Sequence, residues 1–122
     1  MKVYRCKRCG RIIEEIKEGA GIPICCGEEM THLVPGSSDG AYEKHVPVVK
    51  TNGNEVAINV GSVDHPMIDV HYIEWIALET NRGIYRKPLK PGEKPERKFI
   101  LMDDEEVVAV YAYCNLHGLW KA

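Results

Sequence analysis

The sequence predicts a mainly β protein, with a small metal-stapled N-terminal domain followed by a β-sandwich or barrel. Three observations carry this expectation. Residues 1–36 hold four of the five cysteines and too little apolar sequence to fold unaided; segments below about 40 residues usually need a metal or a disulfide. From residue 41 onward, short runs of β-branched and aromatic residues alternate with turn residues, the rhythm of a sandwich or barrel. No stretch there has a convincing helical period.

Taken in order, the chain begins with a C-x-x-C-G knuckle, Cys6-Lys7-Arg8-Cys9-Gly10, and later offers Cys25-Cys26-Gly27. Four thiolates around one ion would staple this segment; two disulfides or free thiols are the competing reading. Adjacent side chains on extended backbone point to opposite sides. For Cys25 and Cys26 to reach one ion the backbone must bend, which distorts the tetrahedron. A zinc ribbon more typically has a second C-x-x-C, but iron and zinc both accept four thiolates. His32 has no partner and reads as a surface residue.

Val34-Pro35-Gly36-Ser37-Ser38-Asp39-Gly40 reads as a linker. The boundary near 37 gives expected domains 1–36 and 37–122. Runs 46–50 and 55–60 flank Thr51-Asn52-Gly53-Asn54, a strong hairpin cue. Residues 70–80 alternate, which puts His71, Ile73, Trp75 and Ala77 on one face and Val70, Tyr72, Glu74, Ile76 and Leu78 on the other. Further strands are expected near 84–87, 96–102 and 107–113, with a charged loop at 88–95. Tyr111 and Tyr113 read as packing residues.

A net charge of −2 leaves no global basic field for nucleic acid. No apolar run approaches the roughly 20 residues of a membrane span, so neither nucleic acid nor membrane is expected as a partner. The N-terminus runs straight into a cysteine motif without an apolar signal segment. That points to the cytoplasm, where cysteines are more often metal ligands than disulfides.

The chemistry of the second domain is carried by Cys114-Asn115-Leu116-His117-Gly118, with His45, His65 and His71 upstream. Thiolate and imidazole together suit zinc, copper or iron. A structural zinc site is usually closed with four ligands. Five candidates, four of them neutral, point instead to an iron that holds five ligands and leaves one position open. Taken singly, Cys114 could be a buried core thiol and His71 a residue filling a strand face.

Glu43-Lys44-His45-Val46-Pro47, Gly61-Ser62-Val63 with His65-Pro66-Met67, Tyr72-Ile73-Glu74-Trp75-Ile76 and Cys114-Asn115-Leu116-His117-Gly118 resemble the superoxide reductase family in the family's order. The N-terminal cysteines narrow the resemblance to desulfoferrodoxins, the two-iron form, and it covers essentially the whole chain. It implies a desulforedoxin-like, rubredoxin-type iron domain with Cys6, Cys9, Cys25 and Cys26 as ligands, followed by an immunoglobulin-like β-sandwich. It also implies His45, His65, His71 and His117 as equatorial nitrogens of a second iron, with Cys114 as the axial sulfur. Two non-haem irons per chain follow, one Fe(Cys)4 and one Fe(His)4(Cys).

The implied activity is one-electron reduction of superoxide to hydrogen peroxide, with re-reduction by an outside donor such as rubredoxin. On the same resemblance Lys44 steers superoxide and stabilises developing peroxide charge, and Glu43 closes the open position after product leaves. An isolated Glu-Lys pair would instead read as solvated surface charge. The family further implies a homodimer. Two other functions fit the residues less well: a small electron-transfer protein using the N-terminal iron, and a structural module with zinc at both sites.

Overall fold

The N-terminal segment is too short for a core of ordinary size, and it builds only small sheets. Strand β1 (Val3–Arg5) pairs antiparallel with β2 (Ile12–Glu14), while β3 (Ile24–Cys25) and β4 (Glu28–Glu29) form a separate hairpin. Strand β5 (Thr31–His32) adds to the other edge of β1. The apolar centre here is Tyr4, Cys6 and Met30, flanked by Ile13 and Cys25. Ile16, Ile22 and Ile24 remain exposed. This computed structural model describes all residues, 1–122. It divides into two units, Met1–Val34 and Pro35–Ala122.

The second unit is a sandwich of two antiparallel sheets. Strand β6 (Pro47–Asn52) and β7 (Glu55–Val60) form the hairpin expected around Gly53, whose φ of +59° few other residues adopt. Strand β8 (Ile73–Thr80) pairs with β9 (Ile84–Pro88). Strand β10 (Glu96–Ile100) joins β7, and β11 (Val107–Cys114) pairs with both β8 and β12 (Gly118–Lys121). The orders are β10-β7-β6 and β12-β11-β8-β9. Val56, Ile58, Val60 and Phe99 from one sheet meet Ile73, Ile76, Leu78, Val110, Ala112 and Cys114 from the other in a single buried cluster. The one buried carboxylate, Glu105, accepts hydrogen bonds from Thr80 Oγ1 (2.5 Å), Tyr85 OH (2.6 Å) and the Met102 N–H (3.1 Å). Those donors hold its carboxyl below the usual 4.5. No helix is long and apolar enough to cross a membrane.

Two features differ from the sequence expectation. The alternation expected over 70–80 breaks at its start. Ile73 faces Cys114 and Trp75 faces Tyr113, so β8 carries one extra residue there. This bulge lets Ile73 and Ile76, three apart, both enter the core. His71 and Trp75 therefore do not share a strand face: His71 lies in the preceding loop, and Trp75 stacks on Tyr113 at 5.6 Å. The second difference is a single helical turn, α1 (Tyr42–His45), too short to have a readable period.

The connection after β7 positions α1. The Glu43 carbonyl accepts from the Val63 N–H at 2.9 Å and from Ser62 Oγ at 3.3 Å. A Cβ at Gly61 would stand 2.6 Å from the Glu43 carbonyl oxygen and 2.9 Å from that of Val46, so only glycine fits without moving α1. Gly61→Ala is expected to lower stability by about 1–3 kcal/mol. It should also weaken metal retention at the histidine cluster, read together by thermal melting and metal analysis.

Candidate metal centres

The N-terminal cluster is set by two tight bends. The knuckle closes with the Gly10 N–H donating to the Cys6 carbonyl at 3.0 Å and the Cys9 N–H pointing at Cys6 Sγ at 3.5 Å. The bend expected at the adjacent cysteines is present: Cys26 has φ +52°, the left-handed conformation that non-glycine residues rarely adopt. It brings Sγ of Cys6, Cys9, Cys25 and Cys26 within 4.8 Å of one another. Cys9 and Cys25 sulfurs are 3.7 Å apart, and Cys25 and Cys26 sulfurs 3.9 Å. Disulfide sulfurs stand about 2.05 Å apart. A tetrahedron of thiolates about 2.3 Å from an ion has edges of about 3.8 Å. The spacing is that of a tetrathiolate.

The charge of the group points the same way. Backbone N–H groups of Cys9 and Arg8 hold the Cys6 thiol down at about 6. Hydrogen bonding with Cys9, Cys25 and Cys6 pushes Cys26 up to about 12, and Cys9 likewise raises Cys25. The unaided cluster therefore resists full ionisation, and a cation would supply the compensating charge.

The second cluster gathers donors from four places. His45 ends α1, His65 lies in the connection after β7, and His71 lies in the loop before β8. Cys114 ends β11, and His117 lies in the turn to β12. One ligand atom from each of these five residues falls within 4.8 Å of the others. The hydrogen bonds fix how each ring presents itself. His45 Nδ1–H donates to the Ala41 carbonyl at 2.8 Å and His65 Nδ1–H to the Pro66 carbonyl at 2.6 Å. That leaves both Nε2 atoms as lone pairs facing inward, 3.2 Å from each other. His45 Nε2 is also 3.1 Å from His117 Nδ1. His71 Nε2 is buried without any hydrogen-bond partner.

Two lone pairs at 3.2 Å do not form a hydrogen bond. They fit donors sharing a cation: right-angle neighbours about 2.1 Å from an ion stand about 3.0 Å apart, and tetrahedral ones about 3.4 Å. The orphaned His71 nitrogen is explained in the same way. Burial holds His45 and His71 below the ordinary imidazole value and brings His65 down to about 4. These three rings are therefore neutral near pH 7, as ligation requires. Burial also pushes the Cys114 thiol up, so its ionisation needs a nearby positive charge. The residues present fit a bound cation, and five donors exceed the four of a closed zinc site.

Residues that the sequence did not single out hold these ligands. Asn115 ties the His71 loop to the Cys114–His117 turn. It accepts from the Tyr72 N–H at 2.9 Å, and its Nδ2 donates to the Val70 carbonyl at 3.1 Å. Trp120 stacks on His45 with ring centroids 4.7 Å apart. Asn115 stood inside the motif with nothing to mark its role, and Trp120 lay beyond it. Glu43 and Lys44 are on the turn that ends in His45, both exposed. The Lys44 charge helps hold down His71, after burial and His117. His32 lies outside both clusters, exposed and packed against the Tyr4 ring at 5.4 Å.

A mainly β chain with one tetrathiolate group and one group of four imidazoles and a thiol defines a class, the two-centre non-haem iron proteins. Residues 37–122 match the desulfoferrodoxin family, and residues 1–33 match the desulfoferrodoxin N-terminal domain. A desulfoferrodoxin homolog of Archaeoglobus fulgidus is 46% identical over 122 residues, covering 100% of this chain and 96% of that one. The desulfoferrodoxin of Nitratidesulfovibrio vulgaris is 48% identical over 121 residues, covering 99% and 94%. The crystal structure of the superoxide reductase from Treponema pallidum superposes with a TM-score of 0.83 at 37% identity, covering 98% of each chain. The chain belongs to the desulfoferrodoxin family.

Proposed function

We propose that this chain is a superoxide reductase, converting superoxide, one electron and two protons into hydrogen peroxide. The observation that carries the reading is the inward convergence of four imidazole nitrogens and one thiol, with the His71 nitrogen left for a cation. The family match and the likeness to the Treponema pallidum superoxide reductase support it. On this reading His45, His65, His71, His117 and Cys114 hold an iron that, when ferrous, supplies the electron.

The remaining work belongs to the chain. Neutral imidazoles and a single thiolate leave a ferrous centre with net charge near +1, which favours an anionic substrate. Lys44, exposed and close enough for His71 to feel its charge, draws superoxide in and stabilises peroxide charge as it develops. Glu43, beside it and exposed, would offer its carboxylate to the iron once product has left. The Ala41 and Pro66 carbonyls keep Nδ1 protons on His45 and His65, so those rings cannot turn away.

Each turnover consumes one electron, so a one-electron donor protein of the rubredoxin kind is proposed as partner. A homodimer is proposed as well, supported by the exposed Ile16, Ile22 and Ile24 on a unit with a minimal core. Reduced thiols in both centres suit the cytoplasm. Pulse radiolysis of the reduced protein tests the activity: superoxide should oxidise the histidine–cysteine centre in a fast second-order step. A reduced, iron-loaded protein that ignores superoxide would sink the proposal.

The tetrathiolate is proposed as accessory. Cys9→Ser should remove its absorption and loosen residues 1–34, yet leave the reaction with superoxide largely intact. A variant that retains the other iron but no longer reacts would give the N-terminal centre an essential role.

A further inference from the structure

We infer that Trp120 is the positioning residue of the histidine–cysteine centre, fixing the ring plane of His45 and the backbone of His117 so that both present their nitrogens to the same ion. The inference rests on the proposed reading of this cluster as a metal centre. The hydrogen bond to the Ala41 carbonyl anchors the His45 ring at Nδ1, and its Nε2 faces the other donors; these in-plane contacts leave the faces of the ring to be fixed by packing. Trp120, 1% exposed, supplies the plane: its indole stacks on the imidazole at 4.7 Å with an interplanar angle of 28°. Its Nε1–H donates to the His117 carbonyl at 3.1 Å. Ser38 Oγ donates to the same carbonyl.

One edge of the stack is bounded by backbone. A Cβ at Gly40 would fall 2.9 Å from Trp120 Cζ2 and 3.2 Å from His45 Cε1. Gly40 therefore abuts the edges of both rings, and neither can shift toward it. Tyr42 meets the indole edge-on at 5.5 Å. Cys114, His117 and Trp120 all belong to the β11–β12 hairpin, whereas His45 comes from α1. The indole thus registers a ligand from one part of the chain against two from another. Groups that orient metal ligands typically matter 10–100-fold in metal affinity.

The test uses the full chain loaded with Co(II), whose visible bands separate a tetrathiolate from a nitrogen-rich centre. Trp120→Leu should release cobalt from the histidine–cysteine centre at about 10–100-fold lower competing chelator and change that centre's bands, leaving the tetrathiolate bands as an unchanged internal reference. Trp120→Phe keeps a ring on His45 and loses one of two donors to the His117 carbonyl, so it should fall between wild type and Trp120→Leu. Gly40→Ala should shift affinity and spectrum in the direction of Trp120→Leu. Phe99→Leu, in the sandwich core and outside the donor set, calibrates simple destabilisation. If Trp120→Leu loses affinity only in step with its melting temperature, as Phe99→Leu does, the inference is overturned. Equal losses in the Phe and Leu variants would overturn the role given to the ring face. Should Trp120→Leu not fold, the Phe and Gly40 variants still decide the matter. Failure of the underlying reading looks different: wild type would then take up cobalt at the thiolates alone.

Discussion

Cys114→Ser is expected to abolish turnover while the sandwich stays folded. Cys114 is fully buried, contributes to the core cluster, and receives the His117 N–H on its sulfur at 3.4 Å. Serine is nearly the same size, so packing survives, and the hydroxyl left in that setting costs about 1–3 kcal/mol. The chemistry does not survive. A hydroxyl is a harder, far less acidic donor than a thiol and cannot supply the same electron density to an iron. Removing a group that merely orients a ligand costs about 10–100-fold in metal affinity or activity; removing the ligand should exceed that. The ferric–thiolate absorption should vanish as well. A serine variant with unchanged spectrum and rate would show that Cys114 is not a ligand.

Lys44→Ala should act on approach and leave the centre intact. The side chain is exposed, and its ammonium offers no lone pair to a metal, so iron content and resting spectrum should match wild type. Its charge contributes to the field that an incoming anion meets. Electrostatic steering raises association rates by about 10-fold or more and fades with ionic strength. The second-order rate with superoxide should therefore fall by about 10-fold at low salt, and the slope against ionic strength should flatten. A variant with the wild-type rate and the wild-type salt slope would return Lys44 to the status of an ordinary surface charge.

Most of the donor set was legible because ligands are chemically conspicuous. A chain with five histidines and five cysteines leaves few ways to distribute them, and nine of the ten fall into the two clusters. The bend at Cys26 was legible for a stereochemical reason, since neighbouring residues cannot face one ion from straight backbone. The β-hairpin at Gly53 followed from turn chemistry. What the sequence hid depends on pairing across strands. The bulge at the start of β8 exists only relative to β11, and nothing local distinguishes a bulged Ile73-Glu74-Trp75 from a regular one. Strand β12 has only four residues and owes its strand geometry to β11. Asn115 and Trp120 look like ordinary polar and apolar residues until the fold places them against His71 and His45.

The two centres draw on separate stretches of chain, residues 6–26 for one and residues 45–117 for the other. All four thiols of the first exist before any donor of the second has been made. Synthesis proceeds at about 5–20 residues per second, so His117 follows Cys26 by roughly 5–18 s. During that interval the tetrathiolate is the only complete set of donors on the growing chain. The first centre can therefore be completed while the chain is still being made, whereas the second needs donors as far apart as His45 and His117 brought together by the sandwich.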